Sequence, residues 1–287
     1  MIERVSELFY WMLDMEGRIA VAMSVYAKDS ASWFLEAVES VLLQSYGNFV
    51  LFIQVDGKVE NNLYEAIKYV ERNDRVVVIF NHHNLGLARR LNDTIELVVE
   101  DLSFSYLARM DADDVCSPFR FEKQVSFMRM NPEIGIVGSD VIEIDEDGRE
   151  LFYKRMPSTH DEIFKNIIKR CPFNHPSVLI DLAIFRQLGL RYKNNLMNTQ
   201  DYYLWIDMLA SNVKFGNLND VLLKFRLGAD FHSRRGVKKA FNDLRSRLYA
   251  FRHLDVLTVS NVFHVVFLFL LRLAPVSVKK FAYKYLR

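Results

Sequence analysis

The sequence predicts an α/β protein in which a mostly parallel sheet has flanking helices and is followed by a C-terminal helical, basic extension. Short apolar runs alternate with amphipathic segments four times in about the first 115 residues, the pattern of successive β-α repeats. Hydrophobic residues make up 51% of the 287 positions, which is enough for a large core. Lysine and arginine are concentrated near the C-terminus, where amphipathic segments continue without strand-like runs.

The predicted strands are short apolar runs, as strands buried on both faces of a parallel sheet require. The first strand, IAVAMSVY, has only Ser24 as a small polar residue. In chain order the strands cover residues 19–26, 50–55, 76–80, 105–110 and 134–137. A further short strand over 177–180 is predicted after the turn sequence Asn174-His175-Pro176.

The predicted helices carry apolar residues at every third or fourth position. Ser32 is the predicted N-cap of the first helix, whose apolar face contains Phe34, Val38 and Val41. Pro118 opens a later helix, because proline is tolerated in the first helical turn. After the first, the helices cover residues 61–72, 87–100, 118–130, 161–170, 201–210 and 237–254.

Composition and the missing motifs exclude several classes of protein. The two cysteines, Cys116 and Cys171, lack CxxC or Cys/His spacing, so neither a disulfide framework nor a structural zinc site is expected. Neither GxGxxG nor GxxxxGK[ST] occurs, which disfavours dinucleotide oxidoreductases and P-loop ATPases. Charged residues interrupt the first twenty positions, so no signal peptide is expected and the predicted location is cytoplasmic.

Polar residues follow each of the first four strands, at the sheet edge where parallel sheets bind ligands. These residues are 26–29, Asp56, 81–84 and 111–114. The fourth group places Asp111, Asp113 and Asp114 within four residues. Their mutual repulsion requires a cation, and hard carboxylate oxygens suit Mg²⁺ or Mn²⁺. An acidic turn that only caps the next helix is the alternative that the motif leaves open.

Ten short segments together carry a resemblance that none of them establishes alone. The segments, all between about residues 19 and 236, are 24–26 (SVY), 37–46 (AVESVLLQSY), 55–57 (VDG), 84–88 (NLGLA), 109–114 (RMDADD), 118–124 (PFRFEKQ), 137–139 (VGS), 175–177 (HPS), 200–205 (QDYYLW) and 234–236 (RRG). In this order and spacing the chain resembles a family 2 glycosyltransferase of the GT-A fold, which has a Rossmann-like sheet. Relatives of this type build bacterial O-antigens, capsules and exopolysaccharides.

The resemblance implies a site for a UDP-sugar donor. Tyr26 and Asp56 match the positions that hold the uracil, and Asn84 lies in a segment matched to the nucleotide-sugar site. Asp111 and Asp113 match the DxD motif that binds the ribose and the metal-diphosphate. Asp113, Asp111 and Asp114 are therefore the expected ligands of Mn²⁺ or Mg²⁺.

The resemblance also implies the chemistry of transfer. Asp201 matches the catalytic base, a role that suits a carboxylate because it removes the proton of the attacking acceptor hydroxyl. A single displacement inverts the anomeric centre, so an α-linked donor gives a β-glycoside. The QxxRW motif of processive synthases is absent, so one sugar is expected per encounter.

Three departures from the family pattern affect these expectations. Asp56 is followed by Gly57-Lys58 instead of standing in a pair of aspartates, so recognition of the base could differ. Gln200 replaces the acidic neighbour of the base. The Phe225-Arg226 pair lacks the metal-binding histidine that follows it in many relatives. The sequence leaves open whether His232 replaces that histidine or whether Arg234 and Arg235 neutralise the diphosphate directly.

The predicted division places the GT-A domain in residues 1–236, with a nucleotide-binding half over about 19–115 and an acceptor half over about 116–236. Residues 237–287 form the extension. Residues 224–287 hold 14 Lys/Arg against 3 Asp/Glu, a charge suited to an anionic membrane surface. The apolar run 262–271 is too short to span a bilayer and suits a helix lying in its interface. Packing on the catalytic domain, or on a second copy to give a homodimer, is the alternative; nucleic acid is not an expected partner.

The expected function is metal-dependent transfer of one hexose from UDP-Glc or UDP-Gal to a polyprenyl-diphosphate-linked GlcNAc or GalNAc at the inner face of the cytoplasmic membrane. Two alternatives remain. A sugar-nucleotide pyrophosphorylase would require a glycine-rich basic signature after the first strand, which Ser24-Val25-Tyr26 does not provide. The second alternative is a protein that binds the nucleotide-sugar as a partner but has lost catalysis. It would differ from the expected enzyme only in that it does not transfer the sugar.

Overall fold

The computed structural model describes residues 17–196, 199–228 and 237–274. Within these residues the strands are β1 (Arg18–Val25), β2 (Phe49–Asp56), β3 (Val76–Asn81), β4 (Phe104–Asp111), β5 (Val115–Cys116), β6 (Ile134–Ile144), β7 (Glu150–Lys154), β8 (Leu179–Asp181) and β9 (Lys214–Arg226). They form one sheet in the order β3-β2-β1-β4-β8-β6-β9-β5, with β7 paired to β6. Strands β1 to β4 are mutually parallel, whereas β8 runs antiparallel to both β4 and β6.

The helices cover both faces of the sheet. They are α1 (Ala31–Leu42), α2 (Asn61–Val70), α3 (Leu87–Val99), α4 (Arg120–Met130), α5 (His160–Asn166), α6 (Leu182–Leu188), α7 (Gln200–Ala210), α8 (Val237–His253) and α9 (Val259–Leu273). One core contains apolar side chains of α1, α2 and α4, such as Phe34, Ile67 and Phe121. The other contains those of α3, α6 and α7, including Ile95 and Trp205. The predicted α/β class is confirmed.

The regular first half follows its sequence pattern closely. The buried strands β1 and β2 and the helices α1 to α3 lie where apolar periodicity predicts them. The prediction of Ser32 as the first N-cap is wrong, because α1 begins at Ala31 and Ser30 occupies the cap position. The hydroxyls of Ser30 and Ser32 lie 2.9 Å apart and bond to each other instead of to the helix.

The second half differs more from prediction. Strand β6 continues seven residues beyond its predicted end, to Ile144, and β9 was not predicted. Strand β9 is parallel to β6 and also pairs with β5. Polar residues such as Asn217, which is buried, interrupt its apolar run. The Asn217 side-chain NH₂ group is satisfied by distant backbone, because it donates to the carbonyls of Pro157 and Pro172.

Helices α8 and α9 form the described part of the C-terminal extension. They contact each other through the rings of Phe241 and Phe269, 5.3 Å apart, and through an ion pair between Asp243 and Arg272. Helix α8 also packs on α7, where Tyr249 donates a 2.6 Å hydrogen bond to Asp207. No helix in the described ranges is both long and apolar enough to cross a bilayer. The predicted domain boundary at 236 and the basic residues after 274 lie outside the described residues.

Candidate active site

The acidic turn, which we define as residues 111–114, lies at the carboxyl end of β4 in the middle of the sheet. Asp111 is the last residue of β4, and Asp113 and Asp114 precede β5. One carboxylate oxygen from each of the three aspartates lies within 4.8 Å of the others. The predicted metal ligands therefore converge in space.

The electrostatics of the acidic turn favour a bound cation. Burial, together with the charge of Asp111, raises the pKa of Asp113 to about 6. Burial and the neighbouring carboxylates also raise the pKa of Asp114 well above its usual value. The Asp114 Oδ1 atom accepts a 2.8 Å hydrogen bond from the backbone N–H of Arg226, whereas its buried Oδ2 has no hydrogen-bond partner among the described residues. Hard oxygen atoms in this arrangement fit Mg²⁺ or Mn²⁺.

Two buried arginines flank the acidic turn, and neither has a role predicted from the sequence. The Arg109 side chain, on β4, pairs with Asp111, while its Nε and Nη1 have no hydrogen-bond partner among the described residues. Arg226 ends β9, and its Nε donates to the carbonyl of Asp113 at 2.9 Å. The sequence did contain a signal for Arg109, because a charged residue inside an apolar strand must be paired when it is buried. Arg226 offered no such signal, because its partners in the acidic turn are more than 110 positions away in the chain.

The predicted uracil-binding residues lie at the ends of β1 and β2, on the sheet edge that also carries the acidic turn. Tyr26 directly follows β1, the strand between β2 and β4, and its backbone N–H donates to Asp29 at 2.9 Å. Asp56 is buried at the end of β2. Its carboxylate accepts hydrogen bonds from the backbone N–H groups of Leu85 and Gly86 (2.9 and 2.8 Å) and from Arg90 Nε (2.6 Å).

These contacts give Asp56 a structural role, because they fix the turn that carries Asn84. A side chain at Gly57 would come within 2.9 Å of the Asn84 backbone nitrogen, and Gly57 has φ +86°, a conformation that favours glycine. Asn84 itself is exposed beside this contact. Tyr26, Asp56 and Asn84 thus share the sheet edge that also carries the acidic turn.

Asp201 is the second residue of α7 and is half-buried. Burial and the charge of Asp201 raise the pKa of the Cys171 thiol to about 12. Burial raises the pKa of Tyr192, which lies in the fields of both Arg109 and Asp201. Arg109 in turn pairs with Asp111, so Tyr192 interacts electrostatically both with the predicted base and with the partner of the acidic turn.

His175 lies in the same region. Its Nε2 is 2.9 Å from the hydroxyl of Tyr192, and burial together with the Arg109 charge lowers its pKa well below the usual value. Trp205 is fully buried and packs on Phe173 and His175, so it is a core residue. His232, Arg234 and Arg235 lie outside the described residues.

Comparisons with known proteins define the class of this molecule. The family model described as "Glycosyl transferase family 2" matches residues 20–189, which include the acidic turn and exclude Asp201. The chain belongs to this family, and it is a glycosyltransferase.

Two curated relatives extend over nearly the whole chain. The amylovoran biosynthesis glycosyltransferase AmsE of Erwinia amylovora is 31% identical over 269 residues, covering 92% of this chain and 97% of the relative. An Escherichia coli protein named UDP-Gal:alpha-D-GlcNAc-diphosphoundecaprenol beta-1,3-galactosyltransferase is 28% identical over 275 residues, covering 95% and 98%.

Two solved structures share the fold at 12% identity, each with a TM-score of 0.63. S. aureus TarS 1–349 in complex with UDP matches over 89% of this chain and 71% of its own. The mannosyltransferase PcManGT of Pyrobaculum calidifontis, in complex with GDP-Man and Mn²⁺, matches over 96% and 86%. The likeness confirms the predicted GT-A-like architecture.

Proposed function

We propose that this glycosyltransferase moves one hexose from UDP-Glc or UDP-Gal to a polyprenyl-diphosphate-linked GlcNAc or GalNAc during bacterial surface polysaccharide synthesis. The observation that carries the proposal is the convergence of Asp111, Asp113 and Asp114 at the carboxyl end of β4. The activity for which the E. coli relative is named, with UDP-Gal and a diphosphoundecaprenol-linked GlcNAc, supports the donor and acceptor classes. The name of the E. amylovora relative supports the polysaccharide context.

The donor half of the proposed site combines the nucleotide-binding residues with the acidic turn. Tyr26, after β1, and Asp56, at the end of β2, would hold the uracil, and Asn84, in the loop after β3, would contact the nucleotide-sugar. Asp111 and Asp113, with Asp114 beside them, would hold Mn²⁺ or Mg²⁺. When bound, this cation would neutralise the diphosphate and the charge that it gains as a leaving group. Arg234 and Arg235 are proposed to bind the same diphosphate and to neutralise part of its charge.

Asp201 is the proposed general base. Its carboxylate takes the proton of the acceptor hydroxyl while that oxygen forms a bond to the anomeric carbon. The bond from that carbon to the diphosphate oxygen breaks, and UDP leaves with the electron pair. Attack opposite the leaving group converts an α-linked donor into a β-glycoside.

The direct test is mass-spectrometric detection of transfer from a panel of UDP-hexoses to GlcNAc- and GalNAc-diphosphate-lipid analogues, with Mn²⁺ or with EDTA. We expect addition of one hexose that is lost with EDTA. Transfer that survives EDTA would support the proposed transferase activity and reject its proposed dependence on a metal ion. Binding of UDP-sugars without transfer to any acceptor would favour the non-catalytic alternative.

The C-terminal extension is the proposed membrane contact, because a lipid-linked acceptor lies at the cytoplasmic face of the membrane. Helix α9 has a continuous apolar outer face, which we define as residues Val259, Val262, Phe263, Val266, Phe267, Leu270 and Leu273. Val259, Phe263 and Leu270 are 89%, 75% and 59% exposed. The following residues 275–287 contain four Lys/Arg and no Asp/Glu. This combination suits an anionic bilayer interface.

Vesicle flotation tests this contact. We expect the protein to float with vesicles that contain phosphatidylglycerol and cardiolipin, and the combined substitution Val259→Gln, Phe263→Gln and Leu270→Gln to weaken binding at least about tenfold. Leu43, Leu102 and Met130 are exposed apolar residues elsewhere, so their triple change to glutamine is the matched control and should float normally. Equal vesicle binding by both triple variants would reject the outer face as the membrane contact. If the protein is a dimer that only the first triple variant disrupts, the outer face instead contacts a second copy of the chain.

A further inference from the structure

Arg226, at the end of β9, joins the acidic turn to two other parts of the molecule, the segment after β6 and helix α1. Its side chain is buried, although it lies at the end of a strand. The guanidinium donates to the carbonyl of Asp113 through Nε (2.9 Å) and to the carbonyls of Asp145 and Glu146 through Nη1 (3.2 and 3.1 Å). Its Nη2 pairs with Glu36 on α1.

The same residue also fixes one of the aspartate side chains. The backbone N–H of Arg226 donates to Asp114 Oδ1 at 2.8 Å, which leaves the buried Oδ2 as the oxygen without a partner among the described residues. The guanidinium carbon lies 5.2 Å from the ring centroid of Trp33, so α1 also limits the movement of the side chain. Planar N–H groups directed at several carbonyls hold backbone segments at fixed separation, which a lysine ammonium does not reproduce.

We infer that Arg226 is a positioning residue for the cation of the acidic turn, one that acts through Asp113 and Asp114 without touching the ion. The inference rests on the proposed metal dependence and adds a residue outside the DxD motif. A cation site needs its oxygen ligands held in place by neighbouring groups, and loss of such a group typically weakens metal binding about 10- to 100-fold.

Charge alone would give the opposite effect. A guanidinium near a divalent cation repels it, so removal of the positive charge would tighten metal binding if electrostatics dominated. Positioning instead predicts weaker binding both for Arg226→Met, which loses the charge, and for Arg226→Lys, which keeps it. These two substitutions therefore separate the two effects.

The experiment is titration of the full chain with Mn²⁺, followed by electron paramagnetic resonance of the free ion. We expect about tenfold or weaker affinity for Arg226→Lys and for Arg226→Met. Glu36 is half-exposed, so Glu36→Gln tests the same network with little risk to folding and should weaken binding by about two- to fourfold.

Arg186, on α6, provides the matched control, because it is an arginine that also bonds several carbonyls, those of Val99 at the end of α3, Asp101 in the following turn and Phe104 at the start of β4. Arg186→Met should lower the melting temperature and leave Mn²⁺ affinity unchanged. Unchanged affinity in Arg226→Lys and Glu36→Gln, or tighter binding in Arg226→Met, would overturn the inference while leaving the metal site intact. A wild-type protein that binds no Mn²⁺ would overturn the metal site and this role together.

Discussion

Replacement of Asp201 by Asn is expected to lower the rate of transfer by about a hundred- to ten-thousandfold, the contribution typical of a positioned general base. The amide has nearly the shape of the carboxylate and accepts no proton from the acceptor hydroxyl. Because Asp201 lies in the proposed acceptor half, whereas the proposed uracil-binding residues follow β1 and end β2, UDP-sugar affinity should stay within about twofold of wild type. Single-turnover transfer and calorimetric binding of UDP measure the two quantities separately.

Asp207 provides the control for this substitution on the same helix. Its carboxylate accepts from the Tyr249 hydroxyl at 2.6 Å and lies 3.3 Å from Lys193 Nζ. Asp207→Asn should therefore weaken the contact between α7 and α8 and lower the melting temperature, with little change in the turnover of the folded protein. Equal activity of Asp201→Asn and wild type would remove Asp201 as the base, and equal losses in both variants would indicate damage to α7 instead.

Replacement of Asp113 by Asn is expected to weaken Mn²⁺ binding at least about a hundredfold, more than loss of a supporting residue would. Transfer should fall in parallel at limiting Mn²⁺. The metal-free variant should nevertheless melt at the same temperature as wild type or higher, because the substitution removes one of three carboxylates whose oxygens lie within 4.8 Å of one another. Calorimetric titration with Mn²⁺ and thermal unfolding in EDTA measure these opposite effects.

Asp147 supplies the control for charge near the acidic turn. It lies in the turn between β6 and β7, is exposed, and pairs only with Arg149 at 3.2 Å among the ion pairs of the described residues. Asp147→Asn also removes one negative charge, but at a solvent-exposed position. It should therefore leave Mn²⁺ affinity within about twofold of wild type. A similar loss in both variants would mean that general charge attracts the ion, and unaltered binding in Asp113→Asn would exclude Asp113 as a ligand.

The parts of the molecule that the sequence predicts well are those set by local patterns. Strand β1 is a continuous apolar run with its flanking helix at regular spacing, and Asp111, Asp113 and Asp114 are close together in the chain. Their convergence follows from the turn after β4. The family motifs added the expectation for Asp201, which no local pattern would supply.

The parts that were not predicted depend on contacts between distant segments. Strand β9 carries polar side chains, such as Asn217, that interrupt its apolar pattern. The strand forms by pairing with β6, and Asn217 bonds to the backbone at Pro157 and Pro172, contacts that its own segment does not reveal. The hydrogen bonds that the Asp56 carboxylate accepts from the Leu85 and Gly86 backbone and from Arg90 likewise cannot be predicted from the segment Val55-Asp56-Gly57. A residue type and its spacing do not reveal which backbone donors will fold against it.

The position of β9 between β6 and β5 has a consequence for synthesis of the chain on the ribosome. Strands β1 to β4 and the aspartates of the acidic turn are made first, but β5 and Asp114 bond to β9, whose last residue is Arg226. Such long-range pairing is slow to form and exposes incomplete sheet edges. The emerging N-terminal part therefore contains every proposed metal ligand before it contains the strand that bonds to Asp114, and the proposed donor site cannot be complete until β9 has been made.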